Sequence, residues 1–573
     1  MFQLIEPLKN STISQTKCFE LGDLQNGINL FEDFIIFKKN NEIKIIDRNC
    51  DHAGGKLISK NSSKLICPIH NWELNLNTLK YENGINKETI PYKKKGSKFY
   101  FKIKRKVPMF NDKILSKDIN NSKFIKIKFL NHSCLIFENE SFKFATDPWL
   151  IGPAFLNGWW LKYETNYDWV EELNSCDFIY ISHNHPDHLH PFTLSKIDKN
   201  LEIIVPKFLS DSTGLLVEEV GFKKVTRLDF NKQYQFKKTS LMISLLKSGD
   251  FREDSGIFFK FKDFKCLLDV DSNIINFGNL PKVDLYCSSF AAGASGYPLM
   301  FDNYKLEEKI KKINIEKNFW KHKKIQFLKK IKPKYFLPYA GFFEEKLKRD
   351  SFVKKHNLKN SISDYKNVCN NLKIELLDVT KNNNIILNEK KILKMTNVLG
   401  KNKKNNIITN IDYVNFIKEK FNNFDEKYIK QYFLKSKFRD NLILYISLAS
   451  DDFDKIYYNF SVNFSTKTPE FKILNFDIDF SKLDKNDKLR TLYLNIRKES
   501  FLNTIYSKLL WEDLVIGFQC KILRSPNIYN VNFWHHFTNK YVTSKRIRIE
   551  SKKCYTCSFI NQQFDDQIFN QRI

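Results

Sequence analysis

Short runs of apolar residues, punctuated by polar and turn-forming positions, dominate the first hundred residues. Residues 34–37 and 43–46 read as strands, and the Lys-rich stretches 92–98 and 102–106 bracket another. Alternation over 123–130 predicts the strand that opens a second unit, followed by a strand at 135–137. A helical segment is expected at 167–175, then a buried strand at 177–182 and a hairpin over 257–270. The Lys-rich stretch 304–331 carries apolar residues at helical spacing and predicts one long helix. Polar residues 400–406, GKNKKNN, read as a linker. Three units follow: 1–110, strand-rich; 120–392, with strands and helices mixed as in an α/β layered fold; and 408–573, rich in Phe and Tyr.

Composition adds bounds. The chain has 573 residues, 42% of them hydrophobic, with only 18 Gly and 15 Pro, which excludes collagen-like and Pro/Gly-rich disordered classes. It carries 94 Lys and Arg against 65 Asp and Glu, a formal charge of +29. That balance is compatible with an anionic substrate. The Lys residues are spread along the whole chain, however, and no nucleic-acid module appears, so nucleic acid is not an expected partner. The first residues lack a basic region followed by a long apolar one, and no stretch approaches about 18 consecutive apolar residues. A cytoplasmic protein without a membrane span is expected, and its 11 Cys then read as thiols or metal ligands.

Two constellations carry chemistry. In the first, Cys50-Asp51-His52 is followed by Cys67-Pro68-Ile69-His70. Two Cys and two His can hold one tetrahedral zinc. They can also hold a two-iron cluster with both thiolates on one iron and both imidazoles on the other. Each loop supplies one Cys and one His, which favours the cluster, and Gly54 and Gly55 allow close backbone approach. The pattern resembles the Rieske family. The resemblance implies Cys50 and Cys67 on the inner iron of a [2Fe-2S] cluster, His52 and His70 on the outer iron, and one-electron transfer.

In the second, His183-Asn184-His185-Pro186-Asp187-His188 follows the apolar run 178–182, so a strand delivers the loop at its carboxyl end. Four ligand groups in six residues suit iron or zinc. The motif resembles the metallo-β-lactamase superfamily, and an αββα sandwich is the fold implied for the central unit. Asn131-His132-Ser133-Cys134 and Asp147-Pro148-Trp149-Leu150 fit the same pattern, and Asp271 falls where that superfamily's bridging Asp is expected. Two His residues usual in the superfamily are missing. Ser248-Gly249-Asp250 stands at one of those places and Pro338-Tyr339-Ala340-Gly341 near the other. A single metal, non-haem iron or zinc, on His183, His185, Asp187 and His188, with Asp250 or Asp271 as a further ligand, is therefore expected rather than a hydrolytic two-metal site.

The order of the two units is similar to that of the cytidine monophosphate-N-acetylneuraminate hydroxylase family. The similarity includes Cys50-Asp51-His52-Ala53-Gly54-Gly55, the run Asp147 to Phe155, Gly158-Trp159-Trp160-Leu161, Ala292-Gly293-Ala294-Ser295-Gly296 and Tyr339-Ala340-Gly341-Phe342-Phe343. It extends to Leu510-Trp511-Glu512-Asp513-Leu514, Ile516-Gly517-Phe518-Gln519 and Phe533-Trp534-His535-His536-Phe537. The resemblance implies an iron monooxygenase that hydroxylates the N-acetyl methyl of a CMP-linked sialic acid or a related nonulosonate. It would consume O2 and take electrons from a cytochrome b5-type protein or a ferredoxin with its reductase. The competing expectation is a hydrolase whose cluster is structural or regulatory. Among smaller features, His132 and His190 stand close to the metal motifs, 533–537 looks strand-like, and Cys554 and Cys557 have the spacing of a redox or zinc pair.

Overall fold

The computed structural model describes residues 2–31, 33–40, 42–51, 56–67, 72–82, 85–111, 123–165, 168–237, 239–250, 252–398, 410–478 and 489–541. His52, His70, Cys554, Cys557 and the expected linker 400–406 lie outside them.

Two eight-stranded sheets stack face to face in the centre of the chain. One runs Phe2–Pro7, Lys232–Phe236, Leu241–Lys247, Ser255–Phe261, Phe264–Leu268, Leu285–Ser289, Tyr335–Tyr339 and Glu375–Leu376. The other runs Lys224–Leu228, Glu202–Pro206, Phe178–Tyr180, Phe142–Thr146, Cys134–Asn139, Ile125–Asn131, Asn384–Leu387 and Ile392–Thr396. Side chains alternate across each strand. Phe178 and Tyr180 enter the core between the sheets, whereas Ile179 and Ile181 face the helices Trp169–Asn174, Pro191–Ser195 and Ser212–Glu219 outside. Both faces are thus apolar, which is why 177–182 shows no alternation in the sequence. The expected hairpin at 257–270 is the antiparallel pair Ser255–Phe261 and Phe264–Leu268.

The first strand departs from the expected division of the chain. Phe2–Pro7 pairs antiparallel with Lys232–Phe236, so the first residues are built into the central sheet rather than the N-terminal unit. Phe2 meets Phe178 edge-on and packs on Phe236 in the same core, and such aromatic contacts outweigh proximity in sequence. The rest of the N-terminal unit is all β. Its long pair Lys9–Glu20 and Lys98–Met109 frames two small sheets and a core holding Cys50, Cys67, Trp72 and Tyr81.

The Leu306–Ile331 helix starts and ends close to expectation. Phe327, Leu328 and Ile331 join the sandwich core, while Phe319, one turn and more before them, packs on the core that holds Cys50 and Cys67. The C-terminal unit is mixed α/β. A five-stranded sheet, Glu470–Leu474, Ile456–Asn463, Leu442–Ala449, Arg490–Arg497 and Cys520–Ser525, carries helices that include Glu426–Ser436 and Lys498–Ser507. The stretch expected to be strand-like is helical over Val531–His535, with a π turn over His536–Lys540. Aromatic residues favour strands, but Phe533 and Phe537 are four apart, share one helix face and both pack on Trp511. Among the described residues, no helix is long and apolar enough to cross a membrane.

Candidate metal centre and cavity

The motif loops leave the carboxyl ends of strands at one edge of the sandwich. Ile125–Asn131 delivers His132, Phe142–Thr146 delivers Asp147, Phe178–Tyr180 delivers the His183–His188 loop, and Phe264–Leu268 delivers Asp269 and Asp271. Three of these exits, at His132, Asp147 and Val270, adopt positive φ (42°, 36° and 52°). Non-Gly residues avoid that region, and such strain collects where a site constrains the backbone.

The structure brings His183, His185, Asp187, His188 and Asp271 together. His188 Nδ1 lies 3.1 Å from Asp147 Oδ2, and the Asp147 carboxylate is itself held by the Ser182 amide and hydroxyl at 2.7 and 2.8 Å. A carboxylate there makes Nδ1 the donor and turns Nε2 toward the site. That Nε2 is 3.2 Å from Asp187 Oδ2 and 3.4 Å from Asp271 Oδ2. His183 Nδ1 sits 2.9 Å from Ser182 Oγ and 3.5 Å from Asp254, and its Nε2 is 3.0 Å from His185 Nδ1. Two sets of donors fall within metal-binding reach of one another: His132, Asp187 and His188; and His183, His188 and Asp271.

Burial and neighbours set the charges. Burial, reinforced by His188 and His185, holds the His183 imidazole well below its usual range, so the ring is neutral. Burial opposes protonation of His188 too, but the carboxylates of Asp187 and Asp271 outweigh it. Asp254 is pushed up to about 7 by burial, against the pull of Arg252.

Other candidates separate cleanly. Asp250 accepts from Arg252 Nε at 3.1 Å and from Asn273, so it holds the arginine and is turned away from the motif. Asp269, two residues before Asp271, is committed to Lys324 at 2.9 Å, Ser288 at 3.0 Å and the Tyr286 hydroxyl. His190 is a helix cap: its Nδ1 accepts from the Thr193 amide at 3.1 Å and its Nε2 donates to the Pro153 carbonyl at 3.1 Å. Burial pulls its pKa down to about 4, which fits that neutral role.

Two further groups complete the cluster. His132, singled out in the sequence beside the metal motifs but without a partner there, sets its Nε2 3.2 Å from Asp187 Oδ2. Its carbonyl accepts from the amide of Ala340, within the segment where the superfamily's last His is missing. Glu512 reaches in from the C-terminal unit, its Oε2 3.3 Å from His185 Nε2 and its Oε1 accepting from the Tyr529 hydroxyl at 3.1 Å. Burial would raise the Glu512 pKa, but the bond to His185 wins and keeps it lowered. A short-range signal for Glu512 exists only as one of two adjacent carboxylates, with Asp513, between apolar residues.

A cavity of about 240 Å³ opens onto His132, His185, Asp187 and Asp271. Its walls come from two units. The helix Leu306–Ile331 contributes Glu316, Trp320 and Lys324, four residues apart and so on one face. The C-terminal unit contributes Glu512, Arg524, Tyr529 and Trp534, and the Ser289–Ser295 loop closes a third side. The units meet backbone to backbone: a Cβ on Gly517 would run into the Phe155 carbonyl, and one on Gly158 into Gly517. The glycines of both blocks are therefore contact points, and Trp159 Nε1 donates to the Ile516 carbonyl beside them at 3.1 Å.

Cys50 and Cys67 are fully buried in an apolar core with Trp72 and Tyr81. That apolar chamber fits the sulfur half of an iron–sulfur cluster. The same core includes Val531, with Phe319 and Tyr529 packed against it, and Tyr529 also lines the cavity. One helix and one tyrosine thus stand between the buried thiols and the His/Asp cluster.

Comparison with known proteins agrees with this anatomy. The profile described as "Rieske [2Fe-2S] domain" matches residues 12–91, and "Beta-lactamase superfamily domain" matches 126–262. The cytidine monophosphate-N-acetylneuraminic acid hydroxylase of Mus musculus is 29% identical over 568 residues, covering 91% of this chain and 94% of that protein. Those of Cricetulus griseus and Xenopus laevis are each 28% identical, covering 91% of this chain and 97% and 92% of theirs.

Proposed function

We propose, from the premise that this chain is a full-length relative of the cytidine monophosphate-N-acetylneuraminic acid hydroxylases, that it hydroxylates the N-acetyl methyl of a CMP-linked sialic acid or a related nonulosonate. The chain is an oxidoreductase with a Rieske domain and a β-lactamase-fold domain. The observation that carries the substrate reading is the cavity, which opens onto the His/Asp cluster at one end and presents Lys324 and Arg524 among aromatic rings.

The residues at hand divide the work. A Rieske cluster on Cys50 and Cys67, with His52 and His70, and iron on the His183–His188 motif with Asp271 would supply single electrons and the activation of O2. Asp147 fixes the His188 tautomer, and Ser182 with Asp254 orients His183, so both rings stay aimed without reorganisation. Arg252 ties the Asp250, Asp254 and Asp271 segments together, through two carboxylates and the Asp271 carbonyl. Trp159, stacked on Phe343 with ring centroids 3.5 Å apart, forms an apolar wall that keeps water from the reacting carbon. Arg524 is a cation suited to the phosphate or carboxylate of a sugar nucleotide, whereas Lys324 in the same cavity is already paired with Asp269. Electrons enter from a cytochrome b5-type protein or a ferredoxin with its reductase.

The test is isotopic. Purified anaerobically and given CMP-N-acetylneuraminate, a reductant and labelled O2, the protein is expected to add one labelled oxygen to the sugar. Unlabelled product, or hydrolysis alone, would overturn the reading in favour of a hydrolase.

A further inference from the structure

Three cations and four carboxylates line the cavity, and most are already committed. Lys324 pairs with Asp269, and Arg252 pairs with Asp250 and Asp254. Asp187 and Asp271 face His188, and Glu512 faces His185. One group of each sign is left. Arg524 and Glu316 are only 4% and 7% exposed, and among the described residues neither forms an ion pair, with each other or with a third group. Arg524 is nevertheless held in place. Its Nε donates to Asn527 Oδ1 at 2.8 Å, its guanidinium carbon lies 4.9 Å from the centre of the Phe301 ring, and its backbone amide donates to Asn303 Oδ1 at 3.1 Å. After burial, which lowers its pKa, the largest influences on its charge are the Tyr304 and Tyr297 hydroxyls rather than a carboxylate. A guanidinium does not give up its proton, so this wall of the cavity is short of one negative charge. Glu316 is the converse. Its hydrogen bond comes from the Trp320 indole, and burial pushes the acid up to about 7.

The helix sets the order of these groups along the cavity. Glu316 stands eight residues before Lys324, about 12 Å along the axis. Lys324 is bonded to Asp269, two residues from Asp271, so Glu316 marks the end away from the His/Asp cluster. Arg524 lies between. Tyr529, which donates to Glu512, acts on its charge from the cluster side, and Tyr297, which borders Glu316, acts from the other.

We infer that Arg524 binds the phosphate of the nucleotide and Glu316 the amino edge of its base, which directs the linked sugar toward the His/Asp cluster. A guanidinium meets phosphate oxygens through charge-assisted hydrogen bonds. A carboxyl group accepts from the 4-amino group of cytosine, and when protonated it also donates to the adjacent ring nitrogen. Neither side chain touches the reacting carbon, so both determine specificity rather than chemistry.

The assignment rests on the proposed CMP-linked substrate, and equilibrium binding separates the two. The full chain is titrated calorimetrically with three probes: CMP; cytidine, which lacks the phosphate; and the 5′-monophosphate of 2-pyrimidinone riboside, which lacks the 4-amino group. The parent should prefer CMP to each of the other two by about tenfold. Arg524→Met should erase the preference over cytidine and keep the preference over the deamino analogue, and Glu316→Leu should do the reverse. Arg524→Lys and Glu316→Gln should narrow the matching preference alone and by less, which keeps the test decisive if a larger substitution fails to fold; thermal melts identify the folded variants. Both preferences surviving in a folded variant, or both falling together, would overturn the assignment and leave the CMP-linked substrate standing. A folded parent that binds no CMP would overturn that substrate, and the assignment with it.

Discussion

Residue by residue, the same side-chain type takes different roles according to its partner. His188 has a carboxylate behind it and a free nitrogen in front, whereas His190, two positions on, spends both nitrogens on a helix cap and a carbonyl. His185→Ala should therefore abolish hydroxylation and leave the Rieske absorbance intact, read by activity and visible spectrum on one sample. Asp271 and Asp269 differ likewise, one facing His188 and the other neutralised by Lys324. Glu316 gives a pH-dependent case. Burial raises its pKa from 4.5 to about 7, against a hydrogen bond from Trp320. Between those two values the folded chain keeps a proton that the unfolded chain has lost, so this group's contribution falls as pH rises and the loss is complete above about pH 7. Glu316→Gln should be more stable relative to the parent at pH 8 than at pH 4.5, by about 3 kcal/mol, measured by urea denaturation at the two pH values.

At the scale of elements, the site depends on where strands stop and on one helix with two working faces. Glu316, Trp320 and Lys324 face the cavity, while Phe319 turns toward the buried thiols. The helix was legible from its apolar spacing, but its two neighbours were not, because periodicity reports a buried face and not what buries it. The turn at Gly517 is the second such element. With the Phe155 carbonyl directly against it, any Cβ must push the two units apart. Gly517→Ala should cost about 1–3 kcal/mol in thermal or denaturant unfolding and reduce turnover further, since Glu512 moves with the turn. The Val531–Lys540 segment shows the limit of local preference: its aromatic residues favour a strand, and packing on Trp511 makes it helical.

Across the whole molecule, the C-terminal unit is the wall of the site. Buried ion pairs cross the joint: Arg497 to Asp350 at 2.8 Å, and Arg349 to Asp451 and Glu499 at 2.8 Å each. Removing one member leaves a buried charge without its counterion, which costs about 3–5 kcal/mol. Arg497→Leu should therefore melt earlier and expose the joint to limited proteolysis, and Asp350→Leu added to it should restore part of the loss. If the single and double variants melt alike, the pair is not what joins the units.

The sequence by itself determined the parts that are local. Ligand loops of three to six residues and an apolar run before a His-rich turn are written in consecutive positions, since a strand end presents its loop without help from elsewhere. The αββα layering was implied by the family resemblance those loops carry, while the runs themselves indicated only strands and helices in layers. Tertiary structure alone decided which distant groups join them. His132 and Glu512 stand 51 residues before and 327 residues after the motif residues His183 and His185, and no periodicity links positions so far apart. It also moved the first strand into the central sheet, turned Asp250 toward Arg252 and enclosed the cavity between units. Each of these outcomes depends on packing and charge pairing between remote segments, which become neighbours only when the chain is folded.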